Sequence, residues 1–163
     1  MYDIKSATRD DLATMIYLEE KHFGVERAEV QETYDLVLTM DGNVILAYKG
    51  GYPEGMLATV PVSEKLKTHA LNLPGRSPFR KRIERGYLDP YDGYNFVMSF
   101  VPPIPTSLEL IHIFLGLKRA VGFVYETSAK SLEFYLNRGC RIVGEVENIH
   151  SPGKRDIVLV LEK

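Results

Sequence analysis

Residues 126–140 hold several side chains that could do chemistry. Glu126 ends a predicted strand, where its carboxylate could act as a general base; the alternative is a solvated surface carboxylate. A phenol with a pKa of about 10 stays protonated at neutral pH, so Tyr135 could serve as a general acid, but beside Phe134 it could also simply pack. Cys140 follows a helix-stopping glycine and starts a strand. We therefore expect a small buried hydrophobic residue there rather than a nucleophile.

The histidines and the single cysteine argue against a metal site. His112 stands in an apolar helical stretch and is interpreted as a core residue. The other three, His22, His69 and His150, share no metal-ligand spacing with carboxylates or with the cysteine. One cysteine also excludes an intramolecular disulfide and a four-cysteine zinc site, and it favours a reducing compartment.

A short basic cluster is the other candidate for chemistry. Five cations fall within ten residues: Arg76, Arg80, Lys81, Arg82 and Arg85. Such a cluster could meet the phosphates of a cofactor, of a nucleotide substrate or of nucleic acid. The alternative, which we favour, is a solvated loop.

Composition places the chain among ordinary globular proteins. The 163 residues are 45% hydrophobic and 26% charged, which excludes collagen and wholesale disorder. A chain of this size buries roughly two-thirds of its surface on folding, so we expect a single domain over residues 1–163. The net charge of -2 argues neither for nor against nucleic acid. We see no transmembrane span and no signal peptide pattern, and expect a cytoplasmic protein without membrane partners.

The periodicity predicts a mixed α/β sheet with helices on both faces. A strand comes first, and Thr8 and Asp11 then have capping-box spacing before a helix that Gly24 ends. A second helix, a hairpin of residues 44–48 and 56–60, and a strand–helix–strand–helix run follow, and a closing hairpin ends the chain. Residues 64 to about 93 interrupt this order. We interpret them as an irregular excursion from the core, because their apolar content is low and prolines punctuate them.

The stretch ETSAKSLEFYLNRGC, residues 126–140, resembles a motif of the GNAT superfamily of N-acyltransferases. There, an Asn after a strand is followed three residues later by Ala and then by Phe-Tyr-x-x-x-Gly-Phe. Ser128 and Ser131 stand at the Asn and Ala positions. The Phe-Tyr pair and the Gly match, and Cys140 replaces the final Phe. The element order extends the resemblance over nearly the whole chain.

The resemblance implies a GNAT-like, mostly antiparallel twisted sheet with a central splay. The pantetheine arm of an acyl-CoA would lie between the fourth and fifth strands, paired with backbone groups near Phe100 and Val101, and one N–H there would polarise the thioester carbonyl. The hydroxyl of Tyr135 would face the sulfur. Ser128 and Ser131 would contact the arm, although a helix N-cap is an equal alternative for Ser128.

One segment departs from the family pattern. Before its next helix the family has Arg/Gln-x-x-Gly-x-Gly/Ala, whose backbone N–H groups hold the CoA pyrophosphate, whereas residues 101–107 read VPPIPTS. Three prolines remove three donors. Phosphate could still bind at the helix N-terminus through the amides of Thr106, Ser107 and Leu108.

The resemblance also places an acceptor site. Acceptor-binding segments of the family commonly fall where residues 64–93 lie here, so Tyr87, Asp89 and Tyr91 are the candidate substrate contacts.

The expected function is N-acyl transfer from acetyl-CoA, or another acyl-CoA, to an amine of an unidentified small molecule or protein, without a metal. Two alternatives stay open. One is a non-catalytic GNAT-like module that has lost the CoA site, and the other is a protein that modifies or binds nucleic acid through residues 76–85. A homodimer is possible under each of them.

Overall fold

The computed structural model describes residues 2–101 and 108–163, and in these ranges seven strands form one mixed sheet. The strands are β1 Asp3–Ser6, β2 Asn43–Lys49, β3 Tyr52–Pro61, β4 Asn95–Val101, β5 Arg119–Tyr125, β6 Arg141–Glu147 and β7 Arg155–Glu162. Their spatial order is β1-β2-β3-β4-β5-β7-β6. Five strand pairs are antiparallel, and β4 and β5 pair in parallel. The predicted mixed, mostly antiparallel sheet is confirmed.

Six helices cover the two faces of this sheet in the described ranges. They are α1 Leu12–Phe23, α2 Gln31–Thr39, α3 Glu64–Ala70, α4 Pro78–Glu84, α5 Leu108–Leu115 and α6 Ala129–Leu136. Helices α1 to α4 share one core with Met56 and Phe96 of the sheet. Helices α5 and α6 share the other with Leu57 and Phe100. The two faces therefore hold separate apolar cores, as the predicted two-sided arrangement requires.

Local sequence signals account for the first helical region. The Thr8 hydroxyl accepts a hydrogen bond from the Asp10 N–H, and the Asp11 carboxylate accepts one from the Thr8 N–H at 2.9 Å, so the predicted capping box is formed. Helix α1 ends where Gly24 takes a φ of +81°, a conformation that glycine adopts without strain.

The predicted hairpin is formed by β2 and β3, with Ala47 paired to Gly55. Gly55 of β3 lies very close to β4 and α5. A Cβ atom there would stand 3.1 Å from the Val101 carbonyl oxygen and 3.1 Å from the Leu110 side chain. A glycine at this position therefore lets β4 and α5 approach β3 closely.

Residues 64–93 are not an irregular excursion. They contain α3 and α4, each capped by a serine: Ser63 accepts from the Leu66 N–H, and Ser77 from the Arg80 N–H. The apolar side chains of the segment are buried in the core on the α1 side: Leu66, Ala70, Leu73, Phe79, Ile83 and Leu88. The expectation was wrong because these few apolar residues are covered by neighbouring elements rather than by one another.

This burial predicts a clear difference between two leucines of the segment. Leu66 is fully buried, whereas Leu71 is 46% exposed. Leu66→Ala should lower the free energy of unfolding by about 2–5 kcal/mol, because it removes buried methyl groups and leaves a cavity. Leu71→Ala, the matched control, should change it by less than about 0.5 kcal/mol. Urea unfolding followed by circular dichroism measures both, and equal losses would contradict the packing described.

Candidate functional site

The central feature of the sheet is a gap between β4 and β5. The two strands pair from Asn95–Ala120 to Val97–Gly122 and then separate. Residues 98–101 and 123–125 continue as strands but do not pair with each other in the described chain. The separation opens a cleft lined by these diverging segments. This confirms the central splay.

A bulge in β4 lies where the strands separate. Ala58 of β3 pairs with Ser99, but the next residue, Thr59, pairs with Val97, which leaves Met98 as an extra residue. An extra residue bends a strand and increases its local twist. The bulge thus turns the end of β4 away from β5 while β4 stays paired with β3.

One end of the cleft is apolar and aromatic. On the α5–α6 face, the ring of Phe100 lies 5.2 Å from Phe114, 6.0 Å from Phe134 and 6.2 Å from Tyr135. Tyr135 lines the cleft, and its hydroxyl makes no hydrogen bond with any residue of the described chain. Burial raises the pKa of this phenol well above its ordinary value, so it is protonated at any physiological pH.

The opposite end, on the α1–α2 face, is polar. Glu19 of α1 is 2% exposed. Its Oε1 accepts from the Tyr34 hydroxyl at 2.5 Å, and its Oε2 accepts from the Glu29 N–H at 2.6 Å. Burial, with a further contribution from the Glu29 charge, raises the pKa of Glu19 to about 8. A carboxyl group that titrates near neutrality therefore lines the cleft.

The neighbouring carboxylate, Glu29, is held by a buried ion pair. Arg82 of α4 donates to its Oε1 at 3.0 Å, and the Phe79 N–H donates to its Oε2 at 3.2 Å. The Arg82 guanidinium lies over the ring of Phe123 at 4.9 Å, against β5. This pair connects α4 to the wall of the cleft.

Arg27 and His150 complete the polar end. The Arg27 guanidinium lies over the Tyr125 ring at 4.0 Å, with the Phe23 ring at 5.3 Å. His150 Nε2 lies 3.3 Å from Asp156 Oδ2, and both side chains are almost fully buried. Burial lowers the pKa of His150, so its imidazole is neutral at pH 7.

Solved structures of other proteins share this architecture, although sequence comparisons find no match. No protein-family model matches the sequence, and no curated protein matches it. Solved structures do: Arabidopsis thaliana Naa50 in complex with the bisubstrate analogue CoA-Ac-MVNAL is similar over 99% of both chains, with a TM-score of 0.67 and 13% identity. The ribosomal-protein-S18-alanine N-acetyltransferase from Escherichia coli is similar over 99% of this chain and 93% of its own (TM-score 0.67, 12% identity). The chain has the GNAT fold.

A third similar structure is that of a protein named for a different activity. It is the GNAT-like decarboxylase GphF in complex with isobutyryl-CoA, matched over 98% of both chains with a TM-score of 0.66 and 14% identity. At these identities the similarity establishes the fold alone.

The cofactor-binding residues inferred from the GNAT motif fall in different places. Phe100, Ser128 and Ser131 line the cleft. Ser128 precedes α6 but its side chain makes no capping hydrogen bond. The Val101 side chain is fully buried in the core on the α1 side, and Leu108 is 73% exposed at the start of α5. Thr106 and Ser107 lie outside the described residues.

Glu126, the expected base, does not line the cleft. Its carboxylate accepts from Arg155 Nε at 3.1 Å, and Arg155 also pairs with Glu145. The end of β5 thus directs this residue into a surface ion-pair network.

The expected acceptor contacts also lie away from the cleft lining. Tyr87 borders a separate surface depression with Arg85 and Glu147. Asp89 is exposed and pairs with Lys67 at 3.3 Å, and Tyr91 packs against Tyr94.

Four of the five cations in the basic cluster have protein partners. Arg82 pairs with Glu29 in the interior, and Arg80 pairs with Glu84. Lys81 donates to the Ile149 carbonyl, and Arg85 donates to the carbonyls of Glu147 and Asn148. The contacts of Lys81 and Arg85 attach the C-terminal end of α4 to the β6–β7 connection.

Sequence reasoning missed Glu19 and Arg27. It named Arg82 only as part of the basic cluster and His150 only as a histidine without metal-ligand spacing. A signal existed for the first: Glu19 follows Met15 by four residues and Ile16 by three, so this carboxylate interrupts the apolar stripe of α1. For the others the decisive neighbours come from distant segments, and nothing local marks them.

The described residues contain neither a metal-ligand cluster nor a membrane-spanning helix. No group of three or more His, Cys, Asp or Glu side chains in them is arranged to hold a metal ion. None of their helices has the length and apolar character that a membrane crossing needs.

The raised pKa of Glu19 predicts an unusual dependence of stability on pH. The folded state keeps this proton up to about pH 8, whereas the unfolded chain releases it near 4.5. Stability is therefore fully present below pH 4.5 and is lost as the pH rises towards 8, by a few kcal/mol. Glu19→Gln should flatten this decline, because the amide cannot ionise and its oxygen can still accept the hydrogen bond from the Glu29 N–H. Thermal unfolding from pH 5 to 8.5 measures it.

The matched control is Glu20→Gln, which alters an exposed carboxyl of the same helix. It should leave the pH profile of the wild type in place. A profile that is the same in all three proteins would contradict the assignment to Glu19.

Proposed function

We propose that the protein transfers an acyl group from acyl-CoA to an amine. The observation that carries this proposal is the two-ended cleft, which offers unpaired strand edges and aromatic rings on one face and a buried carboxyl of raised pKa on the other. The shared fold with N-acetyltransferases supports it, as do the CoA compounds bound in two of the similar structures.

The unpaired segment of β4 suits the donor. Residues 99–101 pair with β3 on one side and leave their other edge free of β5. An extended amide-containing chain such as pantetheine can add to an open strand edge through main-chain hydrogen bonds. A backbone N–H near Phe100 would then polarise the thioester carbonyl at the point where negative charge develops.

Tyr135 stabilises the departing sulfur. Its pKa lies above the 8.5 or so of an ordinary thiol, so the phenol does not protonate a thiolate fully at equilibrium. A hydrogen bond to the developing thiolate is the role that such a weak acid can perform, and in an apolar site this bond is strong.

Glu19 removes the proton from the amine, directly or through a water molecule. A proton acceptor is most effective when its pKa approaches that of the donor, and a value of about 8 lies much closer to an ammonium group than an ordinary carboxylate does. Glu29 is not assigned this role, because its carboxylate forms an ion pair with Arg82, whereas Glu19 forms no ion pair with any described residue.

Donor binding is tested by calorimetric titration with acetyl-CoA and with CoA. Saturable binding is expected, and ligand at about 100 times Kd should add about 2.7 kcal/mol to stability. Gly122→Val should weaken binding, because Gly122 lines the cleft and its nearest contact for a Cβ, Val97, is 3.8 Å away. Gly144→Val, placed on β6 with nothing within 4 Å, is the matched control and should bind normally. Absence of binding by the wild type would overturn the proposal.

Turnover is followed by release of the CoA thiol with a panel of amines. The value of kcat/KM should rise with pH through about 8, as Glu19 ionises. Glu19→Gln should remove this step and lower kcat by about 100-fold or more. Tyr135→Phe should lower kcat and leave the Kd for acetyl-CoA unchanged.

Glu126→Gln is the control for both variants, because its carboxylate pairs with Arg155 outside the cleft. It should be active. Loss of activity in this variant alone would show that the base is Glu126 rather than Glu19.

A further inference from the structure

We infer that the amine acceptor also carries a carboxylate and that Arg27 binds it. The inference rests on the proposed acyl transfer and adds to it the chemical class of the acceptor. Arg27 lies in the connection between α1 and α2, at the same end of the cleft as Glu19.

The two aromatic rings hold the Arg27 guanidinium without using its hydrogen-bond donors. Stacking on Tyr125 at 4.0 Å and on Phe23 at 5.3 Å engages the face of the group. The N–H donors lie in its plane and remain available. Arg27 forms no ion pair with any residue in the described part of the chain, and its Nε is buried without an acceptor.

Other unpartnered polar atoms are found at the same end. Arg82 Nε and Ser99 Oγ are buried without a hydrogen bond in the described chain, and both residues line the cleft. The ring nitrogens of His150 and Asp156 Oδ2 also lack a hydrogen bond, although His150 Nε2 and Asp156 Oδ2 lie only 3.3 Å apart. Buried polar groups in folded proteins are rarely unsatisfied. The two unsatisfied guanidinium donors, Arg27 Nε and Arg82 Nε, are complementary to a ligand with acceptor oxygens, and a carboxylate has two of them in the planar geometry that a guanidinium matches.

None of the acidic groups around Arg27 forms an ion pair with it in the described chain. The carboxylate of Glu29 is paired with Arg82, and that of Asp156 lies against His150. Glu19, with a pKa of about 8, carries a proton at neutral pH. Asp156 acts on Arg27 electrostatically but does not pair with it. Arg27 is thus a cation of the cleft whose direct partner is absent from the described residues.

Placement favours the acceptor over the donor as the source of the carboxylate. Arg27 contacts Tyr125 on the α1–α2 face, together with Glu19, whereas Phe100 and Tyr135 line the opposite end. An amine beside Glu19 and a carboxylate at Arg27 can belong to one small molecule. A carboxylate on the acyl chain would instead have to cross the gap from the donor side.

The test compares matched acceptors by thiol release from acetyl-CoA. The panel contains L-amino acids, their primary carboxamides and the amines that lack the carboxyl group. Amino acids should have the higher kcat/KM. Arg27→Gln should raise KM for them by about 30-fold or more, as expected for loss of a buried charged partner, and leave KM for the carboxamides unchanged. Arg119→Gln, an exposed arginine stacked on Tyr94, is the matched control and should behave as wild type.

The outcomes separate this inference from the proposed function. Equal use of amino acids and carboxamides, with active protein, would overturn the inference and leave acyl transfer in place. The same experiment with malonyl-CoA and succinyl-CoA places the carboxylate on the donor if Arg27→Gln impairs these thioesters alone, which also overturns it. If no amine is acylated but L-amino acids raise the melting temperature of the CoA complex in wild type and not in Arg27→Gln, the carboxylate site stands and the proposed transfer fails.

Discussion

The rest of the site depends on the early end of hydrogen bonding between β4 and β5. An unpaired strand edge inside a sheet leaves main-chain groups without partners, which is unfavourable unless something else binds them. The sheet tolerates this gap because each strand keeps its other neighbour: β5 pairs with β7 along its whole length, and β4 pairs with β3 on both sides of the bulge at Met98. The opening is therefore flanked on both sides by strands that remain paired with their outer neighbours.

The gap joins two environments that the sheet otherwise separates. On one face, α5 and α6 contribute aromatic rings around Phe100, and burying a charge there is energetically unfavourable. On the other, a buried polar network of Glu19, Glu29 and Arg82 links α1, α4 and the connection between α1 and α2. In the proposed reaction, the thioester suits the apolar face and the charged amine suits the polar one. Reagents that enter from opposite faces would meet only within the gap.

Local signals in the sequence account for most of the fold but not for the site. The Thr8–Asp11 capping box, the positive φ of Gly24 and the hairpin around Gly55 involve near neighbours, so they could be predicted. The segment with α3 and α4 could not, because residues such as Phe79 are buried by contact with Phe96, far along the chain. The position of Glu126 at a strand end predicts a base, but it does not reveal that Arg155 forms an ion pair with this carboxylate.

Glu19 is where stability and function oppose each other most clearly. Its place in the apolar stripe of α1 would suit a leucine, which needs no partner and carries no charge to desolvate. The chain instead supplies Tyr34 and the Glu29 N–H to a carboxyl whose pKa remains near 8. A local choice that contradicts the packing pattern, yet is supported by several other residues, is the mark of a functional position. By the same argument Arg82, buried and paired with Glu29, belongs to this arrangement, and the Glu29 charge contributes to the raised pKa of Glu19.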